Sequence, residues 1–136
     1  MPSPKISEVI DLTMARREIR EGQTIAEAVK AMKDVNYNCL LVKNDDGIAV
    51  GILSEHDIVR AFAEEGDGAR TAVVGNFMEV DISVANESDT LDKLIKQMAE
   101  ENLRYIPIVS DAGYVTSFVS IMELLTAKIA TCGPCP

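Results

Sequence analysis

Tryptophan is absent from this 136-residue chain, and three Phe and three Tyr are its only aromatic residues. Its core must therefore be aliphatic, built from Ile, Val, Leu, Met and Ala. Histidine occurs once, at position 56, and cysteine three times, at 39, 132 and 135. A single imidazole is a poor nucleus for a metal site. Basic residues are also scarce: 13 Lys and Arg stand against 22 Asp and Glu, for a net charge of −9. Such a surface repels phosphate backbones, so nucleic acid is not an expected partner, although Arg16–Arg17 forms a local basic spot. No apolar run approaches the roughly 20 residues that span a bilayer. The N-terminal MPSPKISEVI has no apolar signal core. Neither membrane nor export is expected, the location is read as cytoplasmic, and disulfides are disfavoured there. What is present is ordinary for a globular protein: 47% hydrophobic and 26% charged residues, enough for one domain or two small units sharing a core.

The organisation lies in an internal repeat. Shifted by 66 positions, residues 21–59 align without a gap to residues 87–125. Glu21, Thr24, Lys30, Met32, Asn36, Asp45, Gly47 and Ser54 fall on Glu87, Thr90, Lys96, Met98, Asn102, Asp111, Gly113 and Ser120. Thr24 precedes apolar residues at helical spacing, Ile25, Ala28, Val29, Met32 and Val35, and Thr90 precedes Leu91, Leu94, Ile95 and Met98. TIAE has the form of a capping box with Thr24 as N-cap. Short apolar runs, CLLV and YIPIV, read as strands; NDDG and SDAG read as turns; IAVGIL and YVTSFV read as second strands. A helix then begins at or just after Ser54 and Ser120. Each copy is thus helix–strand–strand–helix, with room for one further short strand before Gln23 and before Asp89. One repeat alone buries little surface, so two copies sharing a core about a pseudo-two-fold axis are expected. EEGDGAR, 64–70, reads as the linker. The divisions are 1–66 for the first repeat with its N-terminal segment, 67–130 for the second, and 131–136 for a tail.

The strand-to-helix junction GILSEHD, 51–57, admits two readings. A helix start exposes unpaired N–H groups and the positive end of the helix dipole, which suits an anion. Ser54 can donate to a phosphate there, while the two oxygens of Asp57 can accept both hydroxyls of a ribose. Gly51 permits close backbone approach. Equally, Ser54-x-x-Asp57 and Ser120-x-x-Glu123 fit a capping pattern. Two catalytic readings are weak. Ser54, His56 and Asp57 are the residue types of a hydrolytic triad, but they lie within four positions, too close for the base to bond both partners. CGPC, Cys132–Cys135, matches a redox motif but has no following helix to lower a thiol's pKa. As a zinc half-site, two tails of a dimer would supply four thiolates; the plain alternative is a disordered tail. No enzyme activity and no required cofactor are expected.

Two repeats with Gly-h-h-Ser-x-x-Asp at the junction resemble a tandem pair of cystathionine beta-synthase (CBS) domains over nearly the whole chain. NCLLVKNDDGIAVGILSEHDIVRAF is similar to the family pattern throughout; the second copy departs from it, with Ser117 for the glycine and Glu123 for the aspartate. The resemblance implies an α+β fold of two β-α-β-β-α repeats with sheets packed face to face, in a homodimer. It implies a regulatory module, without attached enzyme or transporter domain, that binds an adenosine-containing nucleotide such as AMP, ADP or ATP between the repeats and signals to an effector protein. One site would use Ser54, Asp57 and the phosphate-side residues His56 and Arg60, with its base pocket from Phe77, Met78, Arg104, Tyr105 and Ile106. Many relatives carry arginine where His56 stands; a histidine there would hold phosphate chiefly when protonated. Arg60 would reach the phosphate or bridge to Glu64, and Tyr105 would stack on the base or pack in the core. The other site would use Ser120 and Glu123, with Met14, Asn38, Cys39 and Leu40. The departures at Ser117 and Glu123 leave an alternative: an interaction or dimerisation module whose nucleotide clefts have degenerated.

Overall fold

The computed structural model describes residues 3–12 and 17–132, without the side chain of Cys132. Met14, Arg16 and residues 133–136, which include Cys135, lie outside the described residues. The chain divides into two compact units, residues 14–82 and residues 1–13 with 83–136.

The first unit holds β1 (Glu18–Arg20), α2 (Ile25–Val35), β2 (Cys39–Lys43), β3 (Ala49–Ser54) and α3 (Glu55–Glu65). The second holds α1 (Ile6–Val9), β4 (Ala85–Asn86), α4 (Leu91–Glu101), β5 (Tyr105–Val109), β6 (Val115–Ser120) and α5 (Ile121–Cys132). Each has a three-stranded sheet whose outer short strand is parallel to the middle one, which pairs antiparallel with the last. The short strands expected before Gln23 and Asp89 are therefore β1 and β4.

Matched residues of the repeat do matched jobs. Thr24 caps α2 with a complete capping box, and Thr90 Oγ1 accepts the Lys93 N–H at the start of α4. Asn36 and Asn102 end these helices in the left-handed region, at φ 52° and 54°, where Asn carries a smaller penalty than most side chains. Gly47 and Gly113, at φ 79° and 89°, close the hairpins. In the first hairpin, Asn44 Oδ1 accepts from the N–H groups of Asp46 and Ile48. Apolar faces then meet: Ile25, Ala28, Leu40, Val42 and Leu53 form the first core; Leu91, Leu94, Met98, Ile106 and Val119 form the second.

The segment 64–70 is not a loose linker. α3 runs to Glu65, and Gly66–Thr71 forms a 3-10 turn that buries Ala69 in the first core. The chain then clasps its own unit: Ile25 N–H bonds Ala72 O at 2.9 Å, Val74 N–H bonds Gln23 O at 2.8 Å and Gly75 N–H bonds Glu21 O at 2.9 Å. The second unit has the same clasp from the other end of the sequence. Leu91 N–H bonds Pro4 O at 2.8 Å, Ile6 N–H bonds Asp89 O at 3.0 Å and Ser7 N–H bonds Glu87 O at 3.3 Å. Repeats counted along the sequence and packed units are thus different divisions: the N-terminal segment completes the second repeat, and the segment between repeats completes the first.

Among the described residues, no helix is long and apolar enough to cross a membrane.

Candidate functional site

The pairing of β2 with β3 sets the site. Cys39 lies opposite Ser54, and α3 starts at once after Ser54. This start puts Asp57 in the first helical turn, directed back toward the strand end. Asp57 Oδ2 accepts the Ser54 backbone N–H at 2.9 Å and the Ser54 hydroxyl at 3.2 Å. Asp57 is only 1% exposed. With Glu79 ionised, its second oxygen, Oδ1, has no hydrogen-bond partner among the described residues, and its nearest cationic contact is Arg60 Nη2 at 3.5 Å. A buried carboxylate oxygen without a donor carries a desolvation cost that a ligand hydroxyl would relieve.

Arg60 is held from several sides. Its Nη2 donates to Phe77 O at 2.8 Å, its guanidinium carbon is 5.6 Å from the Phe77 ring centroid, and Nη1 approaches Glu64 at 3.9 Å. The expected bridge to Glu64 is therefore the longest of its polar contacts. His56 is exposed at the start of α3. Met78 is partly buried against the first core, and Phe77 is a member of it.

Gly51 has a close neighbour from the chain itself. Glu79 and Ile52 exchange both backbone hydrogen bonds, at 3.0 and 2.8 Å. A Cβ on Gly51 would lie 2.7 Å from Glu79 O and 3.0 Å from Met78 Sδ. Glycine is needed here so that the 77–79 segment can lie on β3. This segment brings in a residue that sequence reasoning missed, Glu79. Partial desolvation holds its carboxyl above the usual range, helped by the charge and hydrogen-bonding of Asp57; His56 and Arg60 pull the other way. Cys39 is buried, and desolvation pushes its thiol well above the ordinary range, with Asp57 and Glu79 adding to the effect. It is no nucleophile. Asn38 is exposed beside a shallow concavity of about 420 Å³ lined by Met32, Lys33, Asn36, Tyr37 and Glu55. Leu40 is core.

The second unit places its candidates differently. Ser120 and Glu123 form a reciprocal cap: Glu123 N–H bonds Ser120 Oγ at 3.1 Å, and Ser120 N–H bonds Glu123 Oε1 at 3.2 Å. Ser117, at the position of Gly51, has a buried hydroxyl without a hydrogen bond among the described residues. Tyr105 packs edge-on to Phe118 with centroids 6.1 Å apart. Arg104 is exposed, and Ile106 is fully buried in its own core. Among the described residues no group of three or more His, Cys, Asp or Glu is placed to hold a metal.

These features define the class: a tandem-repeat α+β protein whose strand-to-helix junction carries a buried carboxylate. The family model for the CBS domain matches residues 3–64 and 74–130, and the chain belongs to that family. A 17.7 kDa uncharacterised protein of Acidianus ambivalens is 30% identical over 111 residues, covering 82% of this chain and 66% of that protein. The homoserine O-acetyltransferase of Methanococcus vannielii is 27% identical over 118 residues, covering 87% of this chain and 24% of the enzyme. The chain thus spans less than two thirds of the length of these relatives. Among solved structures, an uncharacterised protein from Pyrococcus horikoshii superposes with a TM-score of 0.80 at 25% identity, covering 93% of this chain and 92% of that one. CBSX2 in complex with AMP gives 0.80 at 16% identity, covering 95% and 98%. The CBS domain pair of protein MJ0100, in complex with 5′-methylthioadenosine and S-adenosyl-L-methionine, gives 0.76 at 22%, covering 96% and 99%.

Proposed function

We propose that this chain is a non-enzymatic regulatory module that binds an adenosine-containing ligand, in the AMP, ADP and ATP class expected from its sequence, at the junction carrying Ser54 and Asp57. The observation that carries this reading is Asp57 Oδ1, buried and, with Glu79 ionised, without a hydrogen bond among the described residues. One oxygen caps the helix and the other is left to accept a ribose hydroxyl. AMP, 5′-methylthioadenosine and S-adenosyl-L-methionine bound to proteins of the same fold support the choice of adenosine. Binding would change packing of repeats or subunits, and an effector protein would read that change; a ligand shifts such an equilibrium only by its differential affinity for the two states. A homodimer in the cytoplasm is part of the same proposal.

Thermal unfolding with AMP, ADP, ATP, S-adenosylmethionine and NAD tests it. A ligand at 100 times its Kd stabilises the fold by about 2.7 kcal/mol. At least one member is expected to raise Tm in the wild type and not in Asp57→Ala. No shift with any member, or a shift that survives Asp57→Ala, rejects the assignment.

The second reading, an interaction module with degenerate clefts, is favoured by the Ser120–Glu123 cap. There the acid's Oε1 serves the helix start. A dimer that forms normally while no adenosine compound binds would favour this reading.

A further inference from the structure

Arg60 has two acceptors near one nitrogen. Its Nη2 donates to Phe77 O at 2.8 Å and stands 3.5 Å from Asp57 Oδ1, beyond a good hydrogen bond. The Phe77 ring, 5.6 Å from the guanidinium carbon, adds to the hold. The carbonyl stays in place only while the 77–79 segment lies on β3, and that segment is lightly fastened. Glu79 and Ile52 form one isolated bridge of two hydrogen bonds, and Glu79, Val80 and Asp81 are exposed. Stretches with few buried contacts open more readily than the core. Met78 and Glu79 also rest against the bare Cα of Gly51. Phe77 C=O and Met78 N–H share one peptide plane, so lifting Met78 turns the carbonyl away from Arg60. The nearest acceptor then left to Nη2 is Asp57 Oδ1. An ion pair there would fill the oxygen that a ribose hydroxyl needs.

We propose that the 77–79 segment is a catch on the first-unit site. Closed on β3, it holds Arg60 off Asp57 and leaves Oδ1 open to ligand; released, it lets Arg60 pair with Asp57 and shut the site. By reciprocity, ligand in turn holds the segment closed. The proposal rests on the adenosine reading above and adds a means of closing its site.

Adenosine is the probe, because it brings the ribose hydroxyls without a phosphate for Arg60 to attract. Isothermal titration of the full chain, at about pH 8 and so well above the ordinary carboxylate range, measures the effect of Gly51→Ala in two backgrounds. The new methyl would meet Glu79 O at 2.7 Å and Met78 Sδ at 3.0 Å and so release the segment. With Arg60 present, Gly51→Ala is expected to weaken adenosine binding about tenfold; with Arg60→Met, less than twofold. A loss as large in the Arg60→Met background, or no loss in either, overturns the catch and leaves adenosine binding intact. Loss of adenosine binding in Arg60→Met alone also overturns it, since Arg60 acts here only to shut the site. Amide hydrogen exchange tests the same link without relying on the folding of Gly51→Ala. Saturating adenosine is expected to slow exchange of the Glu79 N–H, bonded to Ile52 O at 2.8 Å, about tenfold in wild type and less than twofold in Arg60→Met. Equal slowing in both, or none in wild type, overturns the catch. Failure of adenosine to bind wild type overturns the adenosine reading itself, and this proposal with it.

Discussion

Asp57 and Ser54 are joined twice through a single oxygen: Oδ2 takes the Ser54 N–H at 2.9 Å and the Ser54 hydroxyl at 3.2 Å, while Oδ1 stays unbonded among the described residues. Capping and ligand contact are therefore compatible roles for one carboxylate. Losing a cap costs about 1 kcal/mol. In Asp57→Ala that loss is offset by removal of a buried oxygen without a donor. Urea unfolding is expected to show at most about 1 kcal/mol for Asp57→Ala and about 1 kcal/mol for Glu123→Ala. A loss above about 3 kcal/mol for Asp57→Ala would mark it as a purely structural group.

Gly51→Ala is expected to destabilise the fold by about 1–3 kcal/mol. The new methyl would meet Glu79 O at 2.7 Å, a backbone atom held by its own bonds to Ile52. Gly22→Ala, where nothing lies within 4 Å, is the control. Urea midpoints of the two variants should differ clearly; equal midpoints would show that the 77–79 segment moves freely.

Cys39 should resist thiol reagents in the native state. It is fully buried, and desolvation keeps its thiol protonated. In a Cys132→Ser, Cys135→Ser variant, modification by a chromogenic disulfide is expected only as urea unfolds the protein. Rapid labelling without urea would contradict the burial.

The raised pKa of the Glu79 carboxyl has a stability consequence. The folded state holds this proton more tightly than the unfolded chain, so stability falls as pH rises from the ordinary value of 4.5 through the folded value. The groups whose charge acts on it are Asp57, His56 and Arg60 on α3, and it acts in turn on Cys39 on β2. Glu79→Gln should remove this part of the decline. Denaturant unfolding of both proteins across pH 4 to 8, compared as a difference, checks the sign; a variant that declines more steeply than wild type would refute it.

Much of this architecture was legible in the sequence because its signals are local. Thr24 with Glu27 three residues on, Asn36 at a helix end and Gly47 in a turn each act within a few residues of themselves. Their recurrence in the second copy turned weak signals into a repeat. The serine and the acid at each junction were legible for the same reason. The clasp was not: Pro4 and Ala72 accept equivalent hydrogen bonds but lie in segments with no resemblance detected between them, and backbone bonding leaves little trace in side chains. For this reason the segment 64–70 reads as a linker although Ala69 is core. Glu79 was invisible too, since FMEV falls outside the repeat.

The sequence by itself determined which residues start helices, turn hairpins and supply apolar faces, because those preferences are set by neighbours along the chain. Only the tertiary structure decided which oxygen of Asp57 caps and which is left unbonded, and why position 51 is glycine. It also brought a second carboxylate to the junction. The glycine at 51 and the approach of Glu79 depend on groups distant in sequence coming within about 3 Å, a matter of packing that no local pattern encodes.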